Sequence, residues 1–338
     1  METTHKFDLS ENKIERLCAG GSRVLANHKV CQALQNMALS TIHLKKGVLR
    51  EPHWHPNANE LTYCLEGKAL ITLFSPGNNH DTFTLDAGEV VYFPKGYIHH
   101  IENISEGNSL FLLCYDHDSP QDLNLSSSIS SMPIHALAAT FDVKNDVFET
   151  IKEKKTDAFI STTKNIVKPD LPSIPNRHKI NLEKITPQIA TPGGTARIAS
   201  HDNFPLLNSL ALFSLRIFKG SVREPHWHPN ATELNYVIKG KARLTIFSPE
   251  GKIDTFELTP NQGSIIPAGY FHYIENIAAE ELHMAVFFNH PSPSDIGLSG
   301  ALSAYSKEVL GSLFSLDPTL FENWAVVQED RMIVKGGG

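Results

Sequence analysis

Apolar and polar positions alternate along this chain in short bursts. Runs such as LTYCL, ALITLF, TFTL, VVYFP and SLFLLCY are rich in β-branched and aromatic residues. Turn formers punctuate them: PNAN, SPGNN, DAG and SEGN. Strands at intervals of about 8–12 residues with turn signals between them predict an antiparallel sandwich or barrel. Two other stretches, SSSISSMPIHALAATF and SGALSAYSKEVLGSLF, read as short helical segments that follow the strand-rich parts.

The pattern is written twice. REPHWHPNANE, from Arg50, returns as REPHWHPNATE from Arg223. GGSRVLANH returns as GGTARIASH, EGKALITLFSP as KGKARLTIFSP, and PKGYIHHIEN as PAGYFHYIEN. Each pair is separated by 173 positions, so the copies carry no net insertion. Two copies are too few for a solenoid, and two similar domains follow. The expected division is a first domain over 5–149, a linker over 150–177, a second domain over 178–323 and a tail over 324–338. The linker, lysine-rich and then proline-rich, is expected to begin as a helix end and finish extended.

Composition narrows the function. The 338 residues carry a formal net charge of -7, which argues against a nucleic-acid partner. No run of about 18 apolar residues predicts a membrane span, and no apolar N-terminal run predicts a secretory leader. A cytoplasmic protein is the default expectation, with other secretion routes left open. The four cysteines, Cys18, Cys31, Cys64 and Cys114, form no Cys-x-x-Cys pair. Cys64 and Cys114 sit in apolar runs and are expected to be buried thiols.

The chemistry concentrates in the repeated stretch. His53 and His55 are two residues apart, so a strand turns both to one face. Glu60 opens the returning strand after a turn, and His99 follows a second turn at Pro94-Lys95-Gly96. Three imidazoles and a carboxylate leave two positions of an octahedron open, a set suited to Mn or Fe and also to Zn, Cu or Ni. His226, His228, Glu233 and His272 repeat it. A lone His-x-His is most often an ordinary pair of core or surface residues; its recurrence with the same glutamate and third histidine makes the metal reading the stronger one.

The spacing Gly47, His53-x-His55, Glu60, Gly67 resembles the first cupin motif, and Gly88, Pro94-x-Gly96, His99, Asn103 resembles the second. The second copy repeats both, except that Asn261 stands where a glycine is expected, with Gly263 two residues on; a changed turn is the expected consequence. The resemblance implies an all-β fold, two cupin (double-stranded β-helix, jelly-roll) barrels in tandem, each followed by a short helical segment. Within the bicupins the chain is most similar to oxalate decarboxylases, through GGTARIASHDNFP, GSVREPHWHPNATE, GKARLTIFSP and FHYIEN. That likeness implies Mn2+ in each barrel, two per chain, with Fe or Zn as alternatives.

It also implies that Arg50 and Arg223 hold the carboxylate of a small acid such as oxalate. A strict alternation would turn Arg50 out of the barrel, so Pro52 is expected to mark a bulge that turns it inward. The family's proton donor is a lid glutamate, and it is missing here: the loops read DHDSPQDLNLS and NHPSPSDIGLS. Leu113 and Val286 occupy the place of a further family glutamate. Asp122 and Asp295 are the nearest acids and the candidate catalytic groups; the competing reading makes them caps of the following helices. Three classes therefore stand: an oxalate decarboxylase-like or oxidase-like enzyme, the latter with dioxygen; a cupin dioxygenase or isomerase on another small substrate; and a non-catalytic storage-like bicupin related to the legumin-type seed proteins. A homo-oligomer is compatible with any of them.

Overall fold

The computed structural model describes residues 4–10, 13–153, 157–163, 176–322, 324, 327 and 329–336. The chain is mostly β, as two cupin-type barrels in tandem with short helical segments after each. Each unit pairs a seven-stranded with a six-stranded antiparallel sheet.

In the N-terminal unit the larger sheet runs Lys179–Asn181, Glu89–Phe93, Glu60–Glu66, Ser109–Tyr115, Ala38–Leu44, Gly21–Ala26, Ile14–Cys18. The smaller runs Leu123–Asn124, Val48–Trp54, Ile98–Asn103, Lys68–Ser75, Asn79–Asp86, with Ile160–Thr162 also on Val48–Trp54. The inward residues of both sheets, among them Ile42, Ile71, Phe83, Val91, Phe111 and Leu113, make one apolar core. The second unit repeats the order and builds the same kind of core from Leu215, Leu244, Ile246, Ile266, Met284 and Val286. Alternation is the cause: each strand offers every second side chain to the space between the sheets.

The compact units are Leu9–Lys184 and a second one made of Met1–Asp8 with Ile185–Gly338. The first strand of each repeat is thus taken by the sheet of the other. Lys6–Asp8 pairs with Gln262–Ile266, and Lys179–Asn181, its counterpart, pairs with Glu89–Phe93. Side-chain volume follows this exchange. Phe7 lies opposite Gly263, where a Cβ would stand 2.4 Å from its ring; Ile180 lies opposite Val90. The glycine at 263 serves strand packing rather than a turn. Asn261 takes the left-handed turn position, with φ 71°, where Gly88 has φ 89°. Asparagine tolerates that conformation, so the turn is kept.

The stretches expected to be linker and tail also contribute to the sheets. Helix Asp146–Glu153 and strand Ile160–Thr162 occupy part of 150–177, and Ile333–Lys335 pairs with Ser221–Trp227. The rest of that linker, 154–156 and 164–175, lies outside the described residues, as do several positions of the tail. Cys64 and Cys114 are buried free thiols, and burial pushes both thiols up from the usual cysteine range. No helix among the described residues is long and apolar enough to cross a membrane.

The exchanged strand makes a test. Phe7→Ala opens a gap beside Gly263 and is expected to destabilise the C-terminal unit by about 3 kcal/mol. Hydrogen exchange should show lost protection at the amides of Gln262–Ile266, with Glu89–Phe93 unchanged. Equal loss in both strands would contradict the assignment of Lys6–Asp8 to the second unit.

Candidate metal centres

His53 is the next-to-last residue of the strand Val48–Trp54, His55 follows that strand, and His99 stands opposite His53 on Ile98–Asn103. Glu60 comes from the other sheet, at the start of Glu60–Glu66. One ligand atom from each lies within 4.8 Å of all the others, and all four side chains are buried. His226, His228, Glu233 and His272 form the same arrangement in the second barrel.

The histidine tautomers follow from their neighbours. His53 Nδ1 lies 2.8 Å from the Glu51 carbonyl, His55 Nδ1 2.9 Å from that of Gln121, and His99 Nδ1 3.0 Å from that of Tyr97. A carbonyl only accepts, so each Nδ1 carries the proton and donates it. A ring that is neutral then turns a bare Nε2 lone pair toward the centre. His226, His228 and His272 do the same with Glu224, Ser294 and Tyr270. With no ion between them, Asp122 and Glu60 outweigh burial and raise His55 to about 9, and Glu233 likewise raises His228, so a protonated imidazole faces each carboxylate. His55 Nε2 is 2.7 Å from Glu60 Oε2, and buried His99 Nε2 is 3.7 Å from it with no hydrogen-bond donor. A cation at the centre would take the place of that proton, and the residues present, three imidazoles and a carboxylate converging on one buried point, fit a divalent metal ion. Thr62 and Asn235 complete the support by donating to the outer oxygens of Glu60 and Glu233.

With no ion among them, the ligands differ in ionisation. Burial, then the charge of Arg50, lowers His53 well below the usual histidine range, and burial with Arg223 does so for His226. Burial alone would raise Glu60 and Glu233, but the neighbouring histidines hold both well below the usual carboxylate range.

The arginines point inward, and the strand register explains it. Arg50 pairs with Ile101 while His53 pairs with His99: three positions on one strand match two on the other. Arg223 and His226 show the same shift against Ile274 and His272. The extra residue at Pro52 or Pro225 turns both side chains to the barrel side. Arg50 is 0% exposed and donates to Asn124 Oδ1 at 2.8 Å, to the Phe159 carbonyl at 3.2 Å and to Asp122 at 3.1 Å. Burial lowers its guanidinium to about 10, against the pull of Asp122. Arg223 donates to the Met332 carbonyl at 2.9 Å and to Asp295.

Asp122 and Asp295 therefore sit against arginines and cap no helix. The helices Leu125–Ser131 and Leu298–Ser303 start at Asn124 and Gly297 without a side-chain cap. Their first turns are met instead by the buried Glu51 and Glu224, which accept from Ser126 N and Ser299 N. The two aspartates differ. Burial raises Asp295 above the usual range despite Arg223. At Asp122 burial is outweighed by His55, Arg23 and Arg50, and the carboxyl is held low. Two further groups of this site lie outside the repeated motifs: Arg23, which donates to Asp122 at 2.7 Å, and Phe159, whose ring lies 4.0 Å from the Arg50 guanidinium carbon. Phe159 fell inside the presumed linker. Arg23 was detectable as a break in the repeat, since Ala196 is its counterpart.

The beside-the-metal space in the second barrel is a small cavity reached by Arg223, His228, Glu233 and Asp295 and walled by apolar residues such as Phe213, Val286 and Phe288. It has room for about one water molecule.

Known proteins share this architecture. The cupin family model matches residues 18–148 and 180–320. Oxalate decarboxylase OxdC of Bacillus subtilis (strain 168) is 30% identical over 302 residues, covering 87% of this chain and 77% of that protein. Germin-like protein subfamily 2 member 2 of Arabidopsis thaliana is 28% identical over 123 residues, 35% of this chain and 56% of its own. The structure of Bacillus subtilis oxalate decarboxylase at pH 4.6 superposes with a TM-score of 0.88 at 27% identity, over all of this chain and 89% of that one. Fold, duplicated three-histidine, one-glutamate sets and these likenesses agree: the chain belongs to the cupin family, as an oxalate decarboxylase-like bicupin related to the germins.

Proposed function

We propose that the chain is a metalloenzyme, manganese favoured, acting on a small carboxylate, with oxalate the first choice. The observation that carries this reading is a buried arginine beside an open ligand set of three imidazoles and one carboxylate. Manganese is favoured because the Bacillus subtilis oxalate decarboxylase has Mn(II) centres; ligand type alone admits iron or zinc.

The bound ion would supply positive charge against the substrate carboxylate and, with dioxygen, an electron sink. The chain's own residues do the rest. The arginine fork binds and orients a carboxylate through two hydrogen bonds. The apolar walls exclude water and strengthen that attraction. Decarboxylation converts oxalate and one proton into formate and carbon dioxide, so it needs a group that holds a proton near the cleaved carbon. Asp295 is the better placed acid: it lines the cavity, and burial raises its carboxyl. Where no proton arrives, oxalate and dioxygen with two protons give two carbon dioxide and hydrogen peroxide. The apolar walls favour a second reading as well, a small carboxylate less polar than oxalate.

Both barrels keep every ligand, so metal-loaded protein should hold about two ions per chain by elemental analysis. Glu60→Ala should halve that number if the barrels bind independently. Less than half an equivalent of any transition metal in wild-type protein would sink the metalloenzyme reading.

Products report on the acid. Asp295→Ala should cut formate formation about a hundredfold, the usual scale of general acid help. Peroxide should rise relative to formate. Assaying both products together checks this, and formate production that survives the substitution removes Asp295 from the proton-donor role.

A further inference from the structure

The two barrels share their metal ligands but not the space beside them. In the first, three guanidiniums crowd one aromatic ring: Arg16, Arg23 and Arg50 lie 4.2, 5.0 and 4.0 Å from the Phe159 centroid. Asp122 is gripped there by Arg23 and Arg50 together, and Arg23 is anchored in turn by Glu15 at 2.9 Å. Asn124 and the Phe159 carbonyl hold the rest of Arg50. In the second barrel the positions of Arg16, Arg23, Asn124 and Phe159 are Ile189, Ala196, Gly297 and Met332. Three of those four, Ile189, Ala196 and Met332, line the cavity. Among the described residues Asp295 is held there by the side chain of Arg223 alone; its other oxygen, like that of Asp122, is buried without a hydrogen-bond partner.

We infer that the second barrel alone provides the chamber for a small carboxylate, entered by exchange of Asp295 for the ligand on Arg223, and that Arg23 with Phe159 closes the first. The inference deepens the function proposed above and rests on it. The exchange swaps one carboxylate for another on one guanidinium, so little pairing energy is lost. In the first barrel the same exchange must also break the charge-assisted contact of Asp122 with Arg23, which is left with Glu15, so more pairing is lost than in the second. Space decides in the same direction. The second barrel has a void, of about one water molecule while Asp295 occupies Arg223, that reaches two metal ligands, whereas the corresponding first-barrel positions carry two arginine side chains and an aromatic ring. Arg23 is a determinant of which barrel binds, acting through Asp122.

The test is calorimetric titration of manganese-loaded full-length protein with oxalate, formate and acetate. One oxalate per chain is expected. Ala196→Arg, which copies the first barrel, should abolish binding while two metals are retained; should that variant not fold, Arg223→Lys should weaken binding at least about a hundredfold. Asp295→Asn removes the competing carboxylate and should tighten binding severalfold, which a merely structural aspartate would not do. Two oxalates per chain, or binding that survives both Ala196→Arg and Arg223→Lys, overturns the barrel assignment and leaves oxalate as ligand. Formate or acetate bound with the Arg223 dependence, and oxalate not, keeps the barrel assignment and removes oxalate. No binding of any of the three overturns both.

Discussion

Three imidazole lone pairs and a carboxylate are aimed at one dry point in each barrel, and much of the local structure exists to hold them there. Backbone carbonyls at Glu51, Gln121 and Tyr97 take the Nδ1 protons, which leaves the Nε2 atoms free to bind a cation. Without an ion, Asp122 and Glu60 outweigh burial and raise His55 to about 9, so a protonated imidazole faces the Glu60 carboxylate at 2.7 Å. The buried glutamate thus needs a positive charge at the centre, from a proton or from a metal ion, because a buried unpaired charge is costly. The carbonyl contacts come from three separate segments, so the ligand geometry depends on the whole barrel.

The one-residue bulge at the prolines links this centre to substrate chemistry. Regular pairing would place either the histidine or the arginine inside the barrel, since side chains alternate with period two. The bulge places both inside and leaves the intervening glutamate buried on the other side. Glu51 and Glu224 then serve as anchors, accepting backbone N–H groups from a following helix and from the returning segments at Phe159 and Met332. Those segments lie over the arginines. What covers each arginine is thus chosen by a stretch more than a hundred residues away in sequence, and it is there that the two copies diverge.

Duplication fixed the ligand sets and left the surroundings free to change. Thr62 and Asn235 perform one task with different groups, and Gly88 and Asn261 one turn with different residues. Arg23 and Ala196 do not perform one task. A guanidinium at that position ties up the aspartate that faces the metal ligands; a methyl leaves a void. The two aspartates differ accordingly: Asp122 is held low by His55 and then by Arg23 and Arg50, whereas burial raises Asp295.

Local pattern was enough to reveal much of this. Strand alternation, turn residues and the repeat defined an all-β tandem fold, because periodicity is a property of the chain itself. The ligands were legible because their spacing must meet two adjacent strands and a return. Pro52 marked the bulge before the register was known. Strand partnership was not legible: Lys6–Asp8 looks like the start of the first repeat and is taken by the sheet of the second, a choice made by the fit of Phe7 against Gly263. Nor was the fate of Asp122 and Asp295, for which helix capping and arginine pairing are equally compatible with a loop sequence. Those outcomes depend on volume and charge brought together from distant segments, and only the folded chain brings them together.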